Sequence, residues 1–261
     1  MATKTRIQNR EVSIPFTSAG TGQKLIFFNG VGSTQVIWKQ VIGALKGQYE
    51  VITFDFRCHG NASSSSDHSF NAFLSDANCL MEAVGADKPI VVAWSFGADL
   101  AVNYVASHPG VVAGLLIVDG AVPIAAPLVE DEKKMRRLLN SFSMKFSQAL
   151  MLLTPYKYRL SGNAIADVAM DLDVRRQQLF DMYARIYCPI TLVLATKTAG
   201  AEKTEHARRN NKLWRDGGER LAAAYPSIQI KWLDAGHRLP LTKPAELAKA
   251  IDDFARGMLP N

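Results

Sequence analysis

Cysteine is scarce: Cys58, Cys79 and Cys188 are the only three in 261 residues. An odd number at wide spacing offers neither a disulfide framework nor a zinc-ligand pattern, and it fits a reducing compartment. Also missing is any run of about 18 uncharged apolar residues, the length a membrane-spanning helix needs. The opening stretch, MATKTRIQNREVSIPF, has no apolar core of the kind a secretory signal carries. A cytoplasmic protein without a membrane partner is expected. There is no internal repeat, and the one low-complexity patch, NASSSSDHS (61–69), reads as a solvated loop. The formal net charge is +6. Its basic clusters, EKKMRR (132–137) and ARRNNKLWR (207–215), lack interleaved aromatics or a binding motif, so no nucleic-acid partner is expected. A solvated surface accounts for the charge. An acidic partner such as an acyl carrier protein is the alternative, with nothing further in its support.

What is present is apolar, patterned chain. Hydrophobic residues make up 48% of the sequence, enough for one large core. Strand-like runs occur at 11–16, 24–29, 49–55, 89–94, 114–119, 190–195 and 228–233. The middle ones are continuously apolar, as parallel strands covered on both faces must be. The last alternates Ile228, Ile230 and Trp232 with polar neighbours, as a less buried strand does. Between them, 36–45, 70–86 and 96–108 carry apolar residues at helical spacing, and a final helix begins at Pro244 and ends near Gly257. This alternation predicts an α/β fold with a doubly wound, mostly parallel sheet. It is interrupted from about Ile124 to Ile186, where only helical patterns are found.

One serine stands out. In VVAWSFGAD (91–99) a buried strand runs into Ser95, and a helix follows. A sharp turn at such a junction lifts the hydroxyl above the strand end. The residues two positions to either side must then be small, because strand and helix converge on them, and here they are Ala93 and Gly97. This is the small-x-Ser-x-small pattern of a nucleophile elbow. A serine that merely caps the helix is the plainer alternative.

With these residues the chain resembles the α/β-hydrolase family over essentially its whole length. FFNGVGS (27–33) stands where the family's oxyanion loop follows its third strand, with Asn29 in place of the usual His. DFRCHGNAS (55–63) resembles the family's Asp-x-Arg-Gly-His-Gly-x-Ser loop, with Cys58 for Gly. DAGHRLPLTKPAELAKAIDDF (234–254) has its Gly-His, a proline and the closing helix. The resemblance implies a core formed by 1–123 and 187–261, and a helical cap, 124–186, inserted after the sixth core strand. It implies no metal and no organic cofactor.

A serine hydroxyl is a poor nucleophile until a base takes its proton. Of the five histidines, His237 follows the last strand directly and shares the carboxyl edge of the sheet with Ser95, so it is the expected base. His59 belongs to the loop motif and reads as structural. His108 ends a helix, His206 lies on a polar helix and His68 lies in the serine-rich loop. The oxyanion needs preorganised N–H donors, and the expected pair is Val31 and Phe96, with Gly30 and Gly32 permitting close approach. The acid has two candidates. Much of the family places it after the cap as Gly-x-x-Asp, but LVLATKTAGAEKT has no Asp, and Glu202 is its first carboxylate. The other candidate is Asp119, at the end of GLLIVD. It is favoured, because Glu202 has a sufficient role near a helix N-terminus. Asp234 reads as loop structure.

These parts imply a serine hydrolase acting on a small apolar carboxylic ester or lactone. Thioester and carbon–carbon bond hydrolysis use the same parts, and a receptor-like relative with little turnover is the alternative from another class. Five of the eight methionines, Met135, Met144, Met151, Met170 and Met182, lie in the cap. Together with Leu138, Leu139, Phe142, Phe146 and Phe180 they are expected either to line an apolar pocket or to pack the cap onto the core.

Overall fold

The computed structural model describes residues 2–45, 47–85 and 87–258. Eight strands form one sheet: β1 (Thr3–Asn9), β2 (Val12–Ala19), β3 (Lys24–Phe28), β4 (Glu50–Phe54), β5 (Ile90–Trp94), β6 (Gly114–Val118), β7 (Ile190–Lys197) and β8 (Gln229–Gly236). Their order is β1-β2-β4-β3-β5-β6-β7-β8. The first two pairings are antiparallel and all others parallel. The central strands β5 and β6 are buried at every position, as their continuous apolar runs require. Two apolar layers flank the sheet. One is built around Phe28, Phe54, Phe73 and Phe96, the other around Trp38, Trp94, Leu239 and Ile251.

Helices cover both faces: α1 (Lys39–Ala44), α2 (Phe70–Val84), α3 (Phe96–Ser107), α8 (Glu205–Ala224), α9 (Leu239–Thr242) and α10 (Pro244–Arg256). Between β6 and β7 lies an all-helical insert of α4 (Glu132–Leu139), α5 (Phe142–Met151), α6 (Gly162–Arg176) and α7 (Leu179–Tyr183). Local chemistry sets the boundaries. Ser69 Oγ accepts from Ala72 N–H at the start of α2, and Gly85, at φ 53°, closes it in the left-handed region. The last position of the expected 70–86 helix lies outside the described residues. The helix expected at 36–45 is split into a 3-10 turn, Gln35–Trp38, followed by α1.

Three elements differ from the sequence pattern. β1 was not expected: its residues are mostly exposed and show no apolar alternation, and it is held by pairing with β2 across a two-residue turn. The strand expected at 11–16 runs on to Ala19 because β2 also pairs with β4. Asp234 lies inside β8 rather than in a loop, and pairs with Lys197 on neighbouring β7.

The insert is tied to the core by a buried ion pair. Arg176 of α6 donates Nε–H and Nη2–H to the two oxygens of Asp99 in α3, at 2.9 and 2.7 Å. Both side chains are shielded from water. Tyr183 Oη donates to Ala121 O at 2.8 Å beside it. Removing one member of a buried pair leaves a charge that nothing compensates. Arg176→Ala should therefore lower the unfolding free energy by about 3–5 kcal/mol. Urea denaturation measures this; a loss under about 1 kcal/mol would show that the pair does not anchor the insert.

Candidate active site

The parallel ladder continues past the ends of the central strands. Ser95 N–H donates to Val118 O at 3.0 Å, and Asp119 N–H donates to Val193 O at 2.9 Å. These bonds hold Ser95 and Asp119 at the carboxyl edge of adjacent strands, and His237 follows β8 at the same edge. Ser95 sits at φ 56° and ψ −127°, and Asp119 at φ 39°. Such conformations cost about 1–3 kcal/mol for a residue other than glycine and persist only where packing enforces them.

That packing is visible at three glycines. A Cβ on Gly97 would lie 2.5 Å from Asn29 O, and one on Gly120 would lie 2.5 Å from Ser95 O. On Gly30 it would lie 2.9 Å from Ser95 Cβ. The loops after β3 and β6 therefore close directly onto the turn that carries Ser95.

The three expected side chains meet. His237 Nε2 lies 2.9 Å from Ser95 Oγ, and His237 Nδ1 lies 2.7 Å from Asp119 Oδ2. A carboxylate can only accept, so Nδ1 carries the proton, which leaves Nε2 as acceptor for the serine hydroxyl. Asp119 is fully buried and receives three further hydrogen bonds. Ala195 N–H and Trp214 Nε1–H each donate to Oδ1 at 2.9 Å, and Thr198 Oγ1–H donates to Oδ2 at 2.8 Å. Every oxygen lone pair that faces protein is thus used, which makes burial of the charge tolerable. Trp94 supports the histidine from below, donating Nε1–H to His237 O at 2.9 Å, with the two rings 5.3 Å apart.

Glu202 is elsewhere. It precedes Thr204, the N-cap of α8, and its exposed carboxylate accepts from Arg215 at 2.8 Å. Arg215, then Asn211, hold its pKa below the ordinary value. It lies next to the N-terminus of α8, as expected, and adds an ion pair to that helix.

Thr198, Trp214 and Trp94 were not foreseen. Thr198 had a signal: Ala195-Thr196-Lys197-Thr198 has the spacing of the family's Gly-x-x-Asp, so Thr198 stands where the later acid would. Its hydroxyl lies 3.4 Å from His237 Nδ1 and is turned to Asp119 instead. Trp214 offered only a lone indole in a basic segment, although a buried indole N–H calls for a buried acceptor.

The loop after β3 is equally determined. Asn29 is buried. Its Nδ2 donates to Phe54 O, and its Oδ1 accepts from Trp38 Nε1 at 2.8 Å. It anchors the loop's start, which accounts for Asn where the family usually has His. Gly32 N–H donates to His59 Nε2 at 2.8 Å, while His59 Nδ1–H donates to Arg57 O at 2.7 Å. Arg57 in turn forms a two-pronged pair with buried Asp76, at 2.9 and 2.7 Å. The motif at 55–63 is thus a brace for the loop. Val31 lies between Gly30 and Gly32 in this loop, and Phe96 opens α3 directly after Ser95; the two N–H groups expected as oxyanion donors are theirs. Among the described residues neither is given to a protein acceptor.

The other histidines fall where they were expected. His108 ends α3, with Nδ1 against Tyr104 O, and His206 on α8 faces Glu130. His68 lines a cavity of about 360 Å³ together with Phe70, Phe96, Val168 and Arg175, between the 66–71 segment and α6. Among the described residues no group of three or more His, Cys, Asp or Glu has the arrangement to hold a metal ion.

The comparisons with known proteins agree with this architecture. The model of the alpha/beta hydrolase family matches residues 25–250. The chain belongs to that family. Two solved structures share its fold. The esterase EaEST of Exiguobacterium antarcticum superposes with a TM-score of 0.74 at 16% identity, over 97% of this chain and 100% of that one. A thermophilic esterase of Thermogutta terrifontis does so with a TM-score of 0.73 at 18% identity, over 98% and 99%. Among curated proteins, 3-oxoadipate enol-lactonase 1 of Acinetobacter baylyi is 25% identical over 84 residues, which is 32% of this chain and 32% of the relative. The match thus spans about a third of that relative's length.

Burial lowers the His59 pKa to about 4, against an ordinary 6.5. As pH falls from 6.5, the unfolded chain takes up a proton at this residue that the folded one refuses. Stability is therefore lost between about pH 6.5 and pH 4, to a total of about 3 kcal/mol. His59→Gln should flatten the pH dependence of the urea midpoint over this window. Parallel pH curves for the two proteins would show that His59 is not held neutral.

Proposed function

We propose that the protein is a serine hydrolase that cleaves a carboxylic ester or lactone through an acyl-serine intermediate. The observation that carries this reading is the continuous chain of short contacts from Ser95 through His237 to Asp119. In the first step Ser95 Oγ attacks the carbonyl carbon while His237 Nε2 takes the hydroxyl proton. Asp119 holds the ring in the Nδ1–H tautomer and balances the imidazolium charge. Val31 N–H and Phe96 N–H receive the tetrahedral oxyanion. Collapse breaks the bond to the leaving oxygen, which takes the proton from Nε2. Water then attacks the acyl-serine, gives its proton to Nε2, and the acid departs as Ser95 recovers its own.

The core, 1–123 and 187–261, supplies all of these groups. The 124–186 cap is given the part of choosing the substrate, since it packs onto the core through the Arg176–Asp99 pair without supplying a reacting group. Ester or lactone chemistry is the reading that accords with the esterases of the same fold and the lactonase relative, while the fold by itself serves other reactions too. The contact between Ser95 and His237 favours turnover over a receptor role, which would not need it.

Ser95→Ala should lower kcat on p-nitrophenyl acetate by on the order of 10⁴-fold or more while the fold is kept. A fluorophosphonate should label Ser95 and no other residue. Asp119→Asn should lower kcat by on the order of 10⁴-fold, and Glu202→Gln should leave it within a factor of about two. Undiminished hydrolysis by the Ser95 variant, or an adduct mapped to a different residue, would refute the mechanism.

A further inference from the structure

The insert carries an apolar surface that the fold leaves uncovered. No residue of α4 or α5 is buried. Met135, Leu139, Met151 and Met170 are partly covered, and Phe180 and Met182 pack against the core. Met144, Leu138, Phe142 and Phe146 instead face water, contrary to either role expected for them. Phe142, Phe146 and Leu150 recur at four-residue spacing along one face of α5, and Leu153 continues the stripe just past its end. Phe142 is 85% exposed, Leu153 is 87%, and the Phe142 and Phe146 rings stack at 6.3 Å. An amphipathic helix normally turns such a stripe inward. Contiguous exposure of this kind marks a contact surface.

The unpaired charge around the stripe is positive. Lys145, three residues on from Phe142, flanks it on the helix, with Arg137 and Lys133 on neighbouring α4. Lys157 lies beyond Leu153. Among the described residues none of these four has a carboxylate partner, whereas Arg136 between them is paired with both Glu132 and Asp167. Where the stripe ends, a groove of about 1080 Å³ begins. Leu152 and Leu153 form one wall and Phe16 and Ile42 another, and Lys39 and Lys157 also line it. Apolar surface and unpaired cations thus continue together across this side of the molecule.

We propose that the α4–α5 hairpin docks on an anionic lipid surface, with the Phe142–Leu153 stripe entering the headgroup boundary and the flanking lysines and arginine meeting the anionic headgroups. A basic amphipathic helix with protruding phenylalanines has the composition of an interfacial anchor. No helix of the described residues is long and apolar enough to cross a membrane, but lying on one needs no span. A second copy of the chain is the poorer occupant. A symmetric contact through this stripe would set the same unpaired cations against each other. An acidic carrier protein satisfies the charge, but the two ends of the stripe are its most exposed points, and this protruding shape suits a deformable surface better. The proposal is independent of the Ser95 chemistry.

The test is flotation of the full chain with vesicles of mixed phosphatidylcholine and phosphatidylglycerol, against vesicles of phosphatidylcholine alone. The wild-type protein should float with the anionic vesicles only, and added salt should release it. The double variant F142S/F146S should lose partitioning by on the order of tenfold or more. K145Q/K157Q should lose about fivefold for each lysine removed. Both variants remove exposed side chains, so their thermal melts and their hydrolysis of a water-soluble ester should match wild type. Failure to float, equal binding to neutral vesicles, or variants that float like wild type would each overturn the proposal. In the absence of flotation, a dimer in sedimentation velocity that F142S/F146S dissolves would name a second copy as the occupant. Saturable binding to a purified acyl carrier protein, abolished by the same variant, would name a protein.

Discussion

The candidate site depends on one buried carboxylate. Asp119 accepts hydrogen bonds from His237, Ala195, Trp214 and Thr198, donors that come from three separate parts of the chain. A charge with no access to water is tolerated only when such donors are fixed in place. The requirement runs in both directions. The carboxylate orders the end of β7, the middle of α8 and the loop after β8, and these in turn hold the histidine at hydrogen-bond distance from Ser95. Arg176, whose guanidinium lies 5.3 Å from the Trp214 ring centroid, brings the insert into the same network.

A second constraint acts on the other side of Ser95. The loop after β3 approaches the serine closely, and backbone that close has few conformations open to it. Asn29 fixes its start, Gly30 fits against Ser95, and His59 takes the Gly32 N–H. The His59 brace also reaches the insert: Gly32 lies against the Tyr158 ring, and Gly60 N–H donates to Lys157 O at 2.8 Å. The loop is therefore held from the sheet, from the 55–63 turn and from the insert at once.

The sheet and the Ser95–His237–Asp119 grouping were legible in the sequence for one reason. Continuously apolar strands mark a parallel sheet, and the residues at their carboxyl ends must share an edge. β1 gave no such signal, since an exposed edge strand buries little and its pairing depends on β2. Thr198 was concealed by its type: a hydroxyl at an acid's spacing reads as loop until its partner is known. Trp214 was concealed by its setting in charged sequence. The insert shows the limit of periodicity. Four-residue spacing in α5 predicts an apolar stripe, but the direction in which Phe142 and Phe146 point depends on how the hairpin sits on α6, which no local pattern encodes.

The most direct test of the account is the state of the His237 ring. In a nuclear magnetic resonance spectrum of ¹⁵N-histidine-labelled protein, Nδ1–H hydrogen-bonded to a buried carboxylate should give a strongly downfield imidazole proton, protected from exchange with water. That resonance is expected in the wild-type protein and in Glu202→Gln, with its loss or marked upfield shift in Asp119→Asn with the fold intact. A resonance that survives Asp119→Asn and disappears with Glu202→Gln would contradict it.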